Sequence, residues 1–232
     1  MQEALSAAGV LEVSGIIPTL NAARQLPEAI LALQGVREVI VVDGGSRDDT
    51  VVIARRLGAH VRVSDPGRGV QLHAGASAAL SEWLLFVHAD TVLCAGWRDA
   101  VREFTVLHAH RRQAATFALG LDDPSPAARR LERQVAWRVR HLGLAYGDQG
   151  LLIHRELYAS LGGFRAWPLM EDVDLVRRIG RRRLTVLPAV ARTSAERWRA
   201  QGWRRRSARN LLCLALYFLG LPPRLIVRFY VR

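Results

Sequence analysis

The chain has 232 residues, half of them hydrophobic, and a formal net charge of +12. A chain of this length buries a sizeable core without disulfides, and its two cysteines, Cys94 and Cys213, lack the CxxC spacing of a structural zinc site. All 33 basic residues are arginine, which excludes Schiff-base lysine chemistry and the lysine of a GxxxxGK[ST] phosphate loop. Exclusive use of arginine also suggests a GC-rich genome, so the charge alone does not indicate a nucleic-acid partner.

The expected compartment follows from the cysteines and the apolar runs. Two distant cysteines favour a reducing environment. The first residues, MQEALSAAGVLEVSG, lack the basic start and apolar core of a secretory signal. No stretch approaches the roughly 18 uninterrupted apolar residues of a spanning helix. We therefore expect a cytoplasmic protein, with the inner face of the membrane as the alternative location.

The first half of the chain alternates strand and helix patterns. Strands are predicted for VSGII (13–17), REVIVVD (37–43), AHVRVS (59–64) and EWLLFVHAD (82–90). Helices are predicted for AARQLPEAILALQG, RDDTVVIARRLG and GVQLHAGASAALS. This alternation predicts parallel βαβ units with ligand groups at the carboxyl ends of the strands. Asp43, His88 and Asp90 end two of these strands, so we expect both acids in one crevice.

The second half is less regular but still reads as one domain. Strands are predicted for ATFALGL and QGLLIHR, and helices for PAARRLERQVAWRVRHL and EDVDLVRRIGRR. We expect a core over residues 13–200 and an Arg-flanked, apolar, helical tail over residues 201–232. Within the tail, NLLCLALYFLGL is either an interfacial helix attracted to anionic lipid or a helix packed on the domain. Both alternatives stay open at this point.

Two turns in the first half carry candidate nucleotide contacts. The turn IIPTLNAARQL has no glycine triplet of the dinucleotide-binding kind. Pro18, Thr19 and Asn21 instead form a stiff polar turn that could hold a base or ribose, or an ordinary turn with Asn21 as helix N-cap. Asp43 in VVDGGSRDDT could accept hydrogen bonds from a base or ribose, or merely cap its own turn.

Four segments, in this order and spacing, resemble the family 2 glycosyltransferases with the GT-A fold: IIPTLNA, VVDGGSRDDT, GRGVQLHAGASAALSEWLLFVHADT and MEDVDLVRRI. The resemblance covers roughly residues 13–200. It implies an α/β fold with a single Rossmann-like mixed β-sheet flanked by helices, followed by a C-terminal helical segment. HADT, GDQG, PLMEDVDL and TSAERW further resemble a small bacterial subgroup found beside radical-SAM and selenoprotein genes and linked to arsenosugar biosynthesis.

The resemblance implies a donor site. Pro18 and Asp43 match positions that line the nucleotide pocket, although Gly44 stands where the family usually has a second Asp. HAD occupies the place of the DxD motif, so Asp90 contacts the divalent cation, Mn²⁺ or Mg²⁺, on the donor diphosphate. His88 replaces the first Asp and is either a metal ligand or a ribose contact. A histidine ligand would favour Mn²⁺, because imidazole is the softer donor.

Candidate residues for catalysis and for the diphosphate come from two further segments. MEDVD matches the ED motif, in which Asp172 serves as the catalytic base of inverting members, with Glu171 orienting it or binding the acceptor. The dipole of the following helix would keep Asp172 ionised. Arg68, between two glycines before a helix, either reaches the diphosphate or faces solvent.

The acceptor side is predicted from two motifs. Asp148 and Gln149 of YGDQG are expected to contact the sugar or the acceptor. SAERW resembles the QxxRW element of processive synthases, with Ser194 in place of Gln, which speaks against a processive polymer synthase. Arg197 and Trp198 of this element are placed on the acceptor side, although core packing is the commoner fate of a tryptophan.

The function predicted from these residues is inverting, metal-dependent transfer of a sugar from a UDP- or GDP-sugar to the hydroxyl of an unknown acceptor. One alternative is a nucleotidyltransferase, which should show a Gly-rich, basic loop after the first strand. The other is a non-enzymatic, Arg-rich binder of nucleic acid or membrane surfaces. Its binding would survive replacement of Asp90 and Asp172. We expect no nucleic-acid partner, and membrane contact only through the C-terminal segment.

Overall fold

The computed structural model describes residues 9–230, which fold around one eight-stranded sheet. The strands are β1 (Leu11–Thr19), β2 (Val36–Asp43), β3 (His60–Val63), β4 (Trp83–Phe86), β5 (Thr91–Leu93), β6 (Ala114–Leu121), β7 (Leu151–His154) and β8 (Leu184–Thr193). The helices are α1 (Leu26–Ala32), α2 (Thr50–Arg56), α3 (Arg68–Ala78), α4 (Trp97–Thr105), α5 (Pro126–Leu142), α6 (Arg155–Ser160), α7 (Glu171–Ile179), α8 (Glu196–Gln201), α9 (Trp203–Phe218) and α10 (Pro223–Tyr230).

The sheet is mixed, as predicted. Its strand order is β3-β2-β1-β4-β7-β6-β8-β5. Strands β3, β2, β1 and β4 run parallel, and β7 is antiparallel to both of its neighbours, β4 and β6. Strands β1, β2 and β4 are largely buried on both faces, which explains why their buried segments are continuous apolar runs rather than alternating ones, whereas the edge strand β3 is largely exposed.

Helices cover both faces of the sheet through two separate cores. On one face, Leu26 of α1, Ala54 of α2 and Trp97 of α4 pack against the strands. On the other, α3, α6 and α7 contribute Leu72, Leu157 and Leu175, among others. The α3–α7 side matters for function, because the first residues of both helices reach the carboxyl ends of β1 and β4.

The C-terminal helices pack on the domain, in agreement with one of the two alternatives for this segment. Cys213 and Tyr217 of α9 and Ile226 of α10 form a buried cluster with Met170 and with Val173 of α7. Other α9 side chains face outward, and Leu211 is 67% exposed. Between residues 9 and 230, no helix is both long and apolar enough to cross a bilayer.

Several boundaries differ from the predicted ones. Strand β4 ends at Phe86, so His88 and Asp90 lie in the turn that leads to β5 instead of in the strand. Helix α1 begins at Leu26 with Gln25 at its N-cap, so Asn21 is not the cap; its carboxamide oxygen accepts a hydrogen bond from the Arg47 amide at 2.9 Å.

Five elements were not predicted. Strands β5 and β8 and helices α4, α6 and α8 had no counterpart among the elements predicted from the sequence. Strand β8 contains Pro188, which normally argues against a central strand. The proline lies where the β6–β8 register shifts, between the pairs Thr116–Val186 and Ala118–Val190. The strand therefore tolerates it at an irregularity in the ladder.

Candidate active site

A cleft with two adjoining lobes opens at the carboxyl ends of β1 and β4. The first lobe is lined mainly by the β1–α1 turn and the beginning of α3. The second lobe lies beside it, between the beginning of α7 and helices α8 to α10. Five residues line both lobes: Arg68, His88, Asp90, Ser194 and Arg197.

The HAD turn stands at the border between the lobes. The backbone carbonyl of Asp90 accepts hydrogen bonds from the Ser194 amide at 3.1 Å and the Thr193 hydroxyl at 3.3 Å. The Asp90 carboxylate makes no hydrogen bond or ion pair within residues 9–230 and faces the cleft. Burial, reinforced by the nearby Arg68, lowers the pKa of His88 to about 4, so its imidazole is neutral near pH 7.

Asp172 faces the same lobe as Asp90, as predicted. It lies in the first turn of α7, which follows Met170 in the left-handed region at φ +66°. The Gly147 amide donates to Oδ2 of Asp172 and the Val173 amide to Oδ1, both at 2.8 Å. These two bonds fix the carboxylate in one orientation. Gly147 also packs against the imidazole of His88, because a Cβ at this position would overlap that ring.

Glu171 is buried behind the cleft. Its side chain is fully buried, and its Oε1 lies 2.7 Å from Nε of Arg68, whose own side chain is 35% exposed. Burial raises the pKa of Glu171 to about 7, although Arg68 opposes the shift. Direct contact with an acceptor, one of the two predicted roles, is therefore wrong for Glu171 in this structure. Its carboxylate instead holds Arg68 at the border of the two lobes.

The two acceptor-side candidates of YGDQG have different surroundings. Asp148 lines the second lobe, and its Oδ1 is buried without a hydrogen-bond partner in the described part of the chain, residues 9–230. Burial raises the pKa of Asp148 to about 6, although Arg138 opposes the shift. Gln149 is 1% exposed and donates from Nε2 to the Phe117 carbonyl at 2.9 Å. The predicted acceptor contact of Gln149 is wrong here, because its side chain ties the loop to β6.

Asp43 ends β2 as predicted but does not line the cleft. It is 2% exposed and accepts hydrogen bonds from the amides of Gly45 and Ser46, at 3.0 and 2.8 Å, and from the Thr19 hydroxyl at 3.0 Å. Burial raises the pKa of Asp43, but these hydrogen bonds outweigh it and lower the pKa overall. Of the two alternatives, Asp43 caps its turn, and the predicted nucleotide contact has no exposed carboxylate to form it.

The other donor-side candidates come from the end of β1 and the turn that follows it. Pro18, Thr19 and Asn21 line the first lobe, although Thr19 is only 2% exposed. Their positions depend on Gln71 of α3, whose Nε2 donates to the carbonyls of Thr19 at 2.7 Å and Val42 at 2.8 Å. The sequence analysis did not single out Gln71, although an amide side chain among the small residues of this helix was a usable signal.

Arg197 and Trp198 of α8 line the second lobe, Arg197 being exposed and Trp198 half-buried. The Trp198 ring stacks on Trp203, with ring centroids 5.7 Å apart and planes 19° apart. The lobe also contains residues that sequence reasoning did not single out. They are Tyr146, Leu169, Met170, Val173, Thr193, Arg206, Asn210, Cys213, Leu214 and Tyr230. Five of them come from α9 and α10, so the C-terminal segment forms one wall of this lobe.

Residues 14–99 match the family model described as Glycosyl transferase family 2. This segment contains the β1–α1 turn, the beginning of α3 and the HAD sequence, all of which line the cleft. The match therefore supports the family predicted from the motifs. An uncharacterized glycosyltransferase of Mycobacterium tuberculosis is 38% identical over 85 residues, covering 36% of this chain and 39% of that protein. A PGL/p-HBAD biosynthesis glycosyltransferase of Mycobacterium bovis is 41% identical over 90 residues, or 35% of its length. The chain thus matches well under half the length of these curated relatives.

Solved structures confirm the predicted GT-A fold. Glucosyl-3-phosphoglycerate synthase from M. tuberculosis, in complex with Mn²⁺, UDP and phosphoglyceric acid, has a TM-score of 0.55 at 20% identity, covering 95% of this chain and 82% of that one. S. aureus TarS (1–349) in complex with UDP-GlcNAc has a TM-score of 0.58 at 19% identity, covering 78% of this chain and 58% of that one. At these identities the similarity concerns the fold alone.

Proposed function

We propose that this protein is an inverting, metal-dependent glycosyltransferase that moves a sugar from a nucleotide-diphosphate donor to an acceptor hydroxyl. The observation that carries the proposal is the shared lobe of Asp90 and Asp172. One carboxylate is available for a cation on the donor, and the other is oriented by two backbone amides beside the same space. The family match of residues 14–99 supports the same reaction.

A divalent cation fits the residues at the border of the lobes. Between residues 9 and 230 no cluster of three or more His, Cys, Asp or Glu side chains could hold a metal. Mg²⁺ and Mn²⁺ do not require one, because one or two protein ligands suffice when substrate phosphates supply the rest. Asp90 offers an unpaired carboxylate and His88 a neutral imidazole. When bound there, the cation would neutralise charge developing on the leaving diphosphate.

The protein groups then account for the transfer step. The acceptor oxygen attacks the anomeric carbon as the bond from that carbon to the diphosphate oxygen breaks. Asp172 accepts the hydroxyl proton, and the nucleoside diphosphate leaves with the bonding electron pair. Attack from the face opposite the diphosphate inverts the anomeric configuration. The amides of Gly147 and Val173 keep the Asp172 carboxylate in place for this proton transfer.

The two lobes suggest where each substrate binds. Pro18, Thr19 and Asn21 would contact the nucleotide in the first lobe, with Arg68 facing the diphosphate. Asp148, Arg197 and Trp198 would contact the acceptor in the second. The Mn²⁺ and UDP of one similar structure and the UDP-GlcNAc of another favour a UDP-sugar donor over a GDP-sugar.

Finer assignments remain predictions. Membership of the arsenosugar-linked subgroup rests on the four short motifs, and contact with the inner face of the membrane rests on the exposed apolar and arginine side chains of α9 and α10. A nucleotidyltransferase is disfavoured because the β1–α1 turn, LNAARQL, contains no glycine. An Arg-rich nucleic-acid binder would not need a carboxylate oriented by two amides.

The experiment that tests the proposal compares Asp172→Asn with Asp90→Ala. We expect Asp172→Asn to bind the donor like the wild type but to transfer sugar at least about 100-fold more slowly, the range for loss of a general base. Asp90→Ala should lose Mn²⁺-dependent binding of UDP in calorimetry. Asp99→Asn, which removes an exposed carboxylate of α4, is the control and should behave like the wild type. Normal turnover of Asp172→Asn would contradict the proposal.

A further inference from the structure

Arg206 is a buried guanidinium without a carboxylate partner. It lies in the first turn of α9, is 7% exposed and lines the second lobe. Nη1 donates to Oε1 of Gln201 at 2.8 Å and Nη2 to the Tyr230 hydroxyl at 3.3 Å, both neutral groups. Among residues 9–230, Nε has no hydrogen-bond partner and no acid lies within ion-pair distance. A buried charge with no counterion is costly unless something else supplies one.

The surroundings of Arg206 hold it in place without neutralising it. Its guanidinium carbon lies 5.3 Å from the ring centroid of Trp198 and 5.9 Å from that of Tyr230. Arg197 lines the same lobe and adds a second positive charge. Burial, with Arg197 and Arg209 nearby, lowers the pKa of Arg206, as expected for a cation that lacks a negative neighbour.

A second buried atom at this wall also lacks a partner. Asn210, one turn further along α9, lines the lobe, and its Oδ1 makes no hydrogen bond to any residue between 9 and 230. Arg206 thus offers an unused donor and Asn210 an unused acceptor, four residues apart on the same face of one helix. A hydroxyl-bearing anion satisfies both atoms, since its charged oxygens accept from Arg206 and its hydroxyl donates to Asn210.

Arg68, one of the two arginines that line both lobes, is already paired. Arg68 contacts Glu171, and it faces both lobes. Arg206 lines only the second lobe, on the wall formed by α9 and α10. An anion at Arg206 therefore belongs to the molecule that occupies the second lobe, together with Asp172, and not to the donor diphosphate.

We propose that Arg206, assisted by Asn210 and Arg197, binds an anionic group of the sugar acceptor, so that the acceptor is a small alcohol carrying a carboxylate or a phosphate. The inference rests on the proposed function, because it assigns the second lobe to the acceptor. The anion at Arg206 and the hydroxyl at Asp172 would together orient the acceptor for attack. A charge-assisted hydrogen bond of this kind selects against neutral alcohols.

Three probes with one carbon skeleton test the charge requirement. Glycerol, D-glycerate and glycerol 3-phosphate are titrated into the full chain with UDP and Mg²⁺ present, and binding is measured by calorimetry. We expect one of the anions to bind at least about tenfold more tightly than glycerol, which equals about 1.4 kcal/mol, because only an anion forms a charged hydrogen bond with Arg206. The anion that binds more tightly shows whether the acceptor carries a carboxylate or a phosphate.

Matched variants locate the effect. Arg206→Gln should lose the preference for anions, while Arg206→Lys should retain part of it. Arg209→Gln is the control, because Arg209 belongs to the same helix and also contacts Gln201 but does not line the lobe. Equal binding of all three probes, absence of binding, or equal losses in Arg206→Gln and Arg209→Gln would overturn the inference. If Arg206→Gln does not fold, the wild-type preference and the Arg206→Lys variant decide the question.

Failure of the inference and failure of the proposed function give different results. UDP and GDP are titrated in parallel without the probes. Nucleotide binding without any anion preference would overturn only the role of Arg206. An Arg206-dependent anion preference without binding of either nucleotide would leave an anion site but contradict the glycosyltransferase proposal.

Discussion

Nε of Arg68 lies 2.7 Å from Oε1 of Glu171, which joins the first residue of α3 to the first residue of α7. The two helices come from distant parts of the chain, and each begins at the cleft. Helix α3 faces the proposed donor lobe, and α7 carries the proposed catalytic base. The ion pair therefore fixes the position of the arginine expected to face the diphosphate relative to Asp172.

Replacing Glu171 should affect catalysis more than stability. In Glu171→Gln, a neutral amide of similar shape takes the place of a buried carboxylate, so we expect the free energy of unfolding to change by less than about 1 kcal/mol. Arg68 loses its charged partner, and we expect kcat/KM to fall about tenfold or more, which equals about 1.4 kcal/mol. Steady-state kinetics and urea unfolding measure the two effects. The control is Glu103→Gln at an exposed position of α4. Unchanged kinetics would show that Arg68 does not depend on Glu171.

Gly147 should tolerate no side chain. A Cβ at this position would overlap the His88 ring and lie 3.4 Å from Oδ2 of Asp172. Gly147→Ala must displace the imidazole or the carboxylate, and a displacement of about 1 Å at a reacting group can cost roughly 100-fold in rate. We expect kcat to fall by about that factor while the thermal melt stays cooperative. Gly9→Ala, where a Cβ meets no neighbouring atom, should leave the rate unchanged.

Asp148 should make stability depend on pH. Burial raises the pKa of Asp148 from 3.8 to about 6 in the folded chain, so its contribution to stability is present below about pH 3.8 and is lost as the pH rises through about 6. Asp148→Asn removes this loss. We therefore expect the melting temperature of the variant minus that of the wild type to be larger at pH 8 than at pH 4. Thermal melts at both pH values test this. Exposed Asp65→Asn is the control, and an equal difference at both pH values for Asp148→Asn would contradict the prediction.

The C-terminal helices should be integral to the fold. Ile226 of α10 is fully buried in the cluster that contains Met170 and Val173. Truncation of a buried isoleucine to alanine costs about 2–5 kcal/mol, so Ile226→Ala should lower the free energy of unfolding by that amount. Leu219→Ala, at a position 83% exposed, should change it by less than about 0.5 kcal/mol. Urea titrations compare the two. Equal stabilities would show that α10 contributes little to the domain.

Local periodicity was sufficient for the parallel half of the sheet. Strands β1 to β4 and helices α1 to α3 have apolar patterns of the right period, bounded by glycines such as Gly35 and Gly58. Helix α4 carried an equally clear signal that was not used, because Trp97, Ala100, Val101 and Phe104 are the buried residues at helical spacing. Strand β8 was harder to predict because it contains Pro188 and because its exposed positions Val186 and Val190 are apolar, so the sequence does not alternate as the burial does.

The candidate site was predictable in part. Motif order placed Asp90 and Asp172 together, and both line one lobe. Motifs do not fix the direction of a side chain, however, so the burial of Asp43, Glu171 and Gln149 became visible only with the tertiary structure. The contribution of α9 and α10 to the second lobe depends on their return to the sheet, a long-range contact that no local pattern encodes.

The residues proposed to contact the nucleotide and most of those proposed to contact the acceptor lie in different parts of the chain. The turns that would hold the nucleotide lie before residue 100, whereas Arg206, Asn210 and Tyr230 follow some hundred residues later. On the proposed assignment, most of the acceptor contacts lie after residue 190, and Asp148 is the exception. Substitutions in this segment would therefore change which alcohol is accepted while leaving the nucleotide-binding turns unchanged.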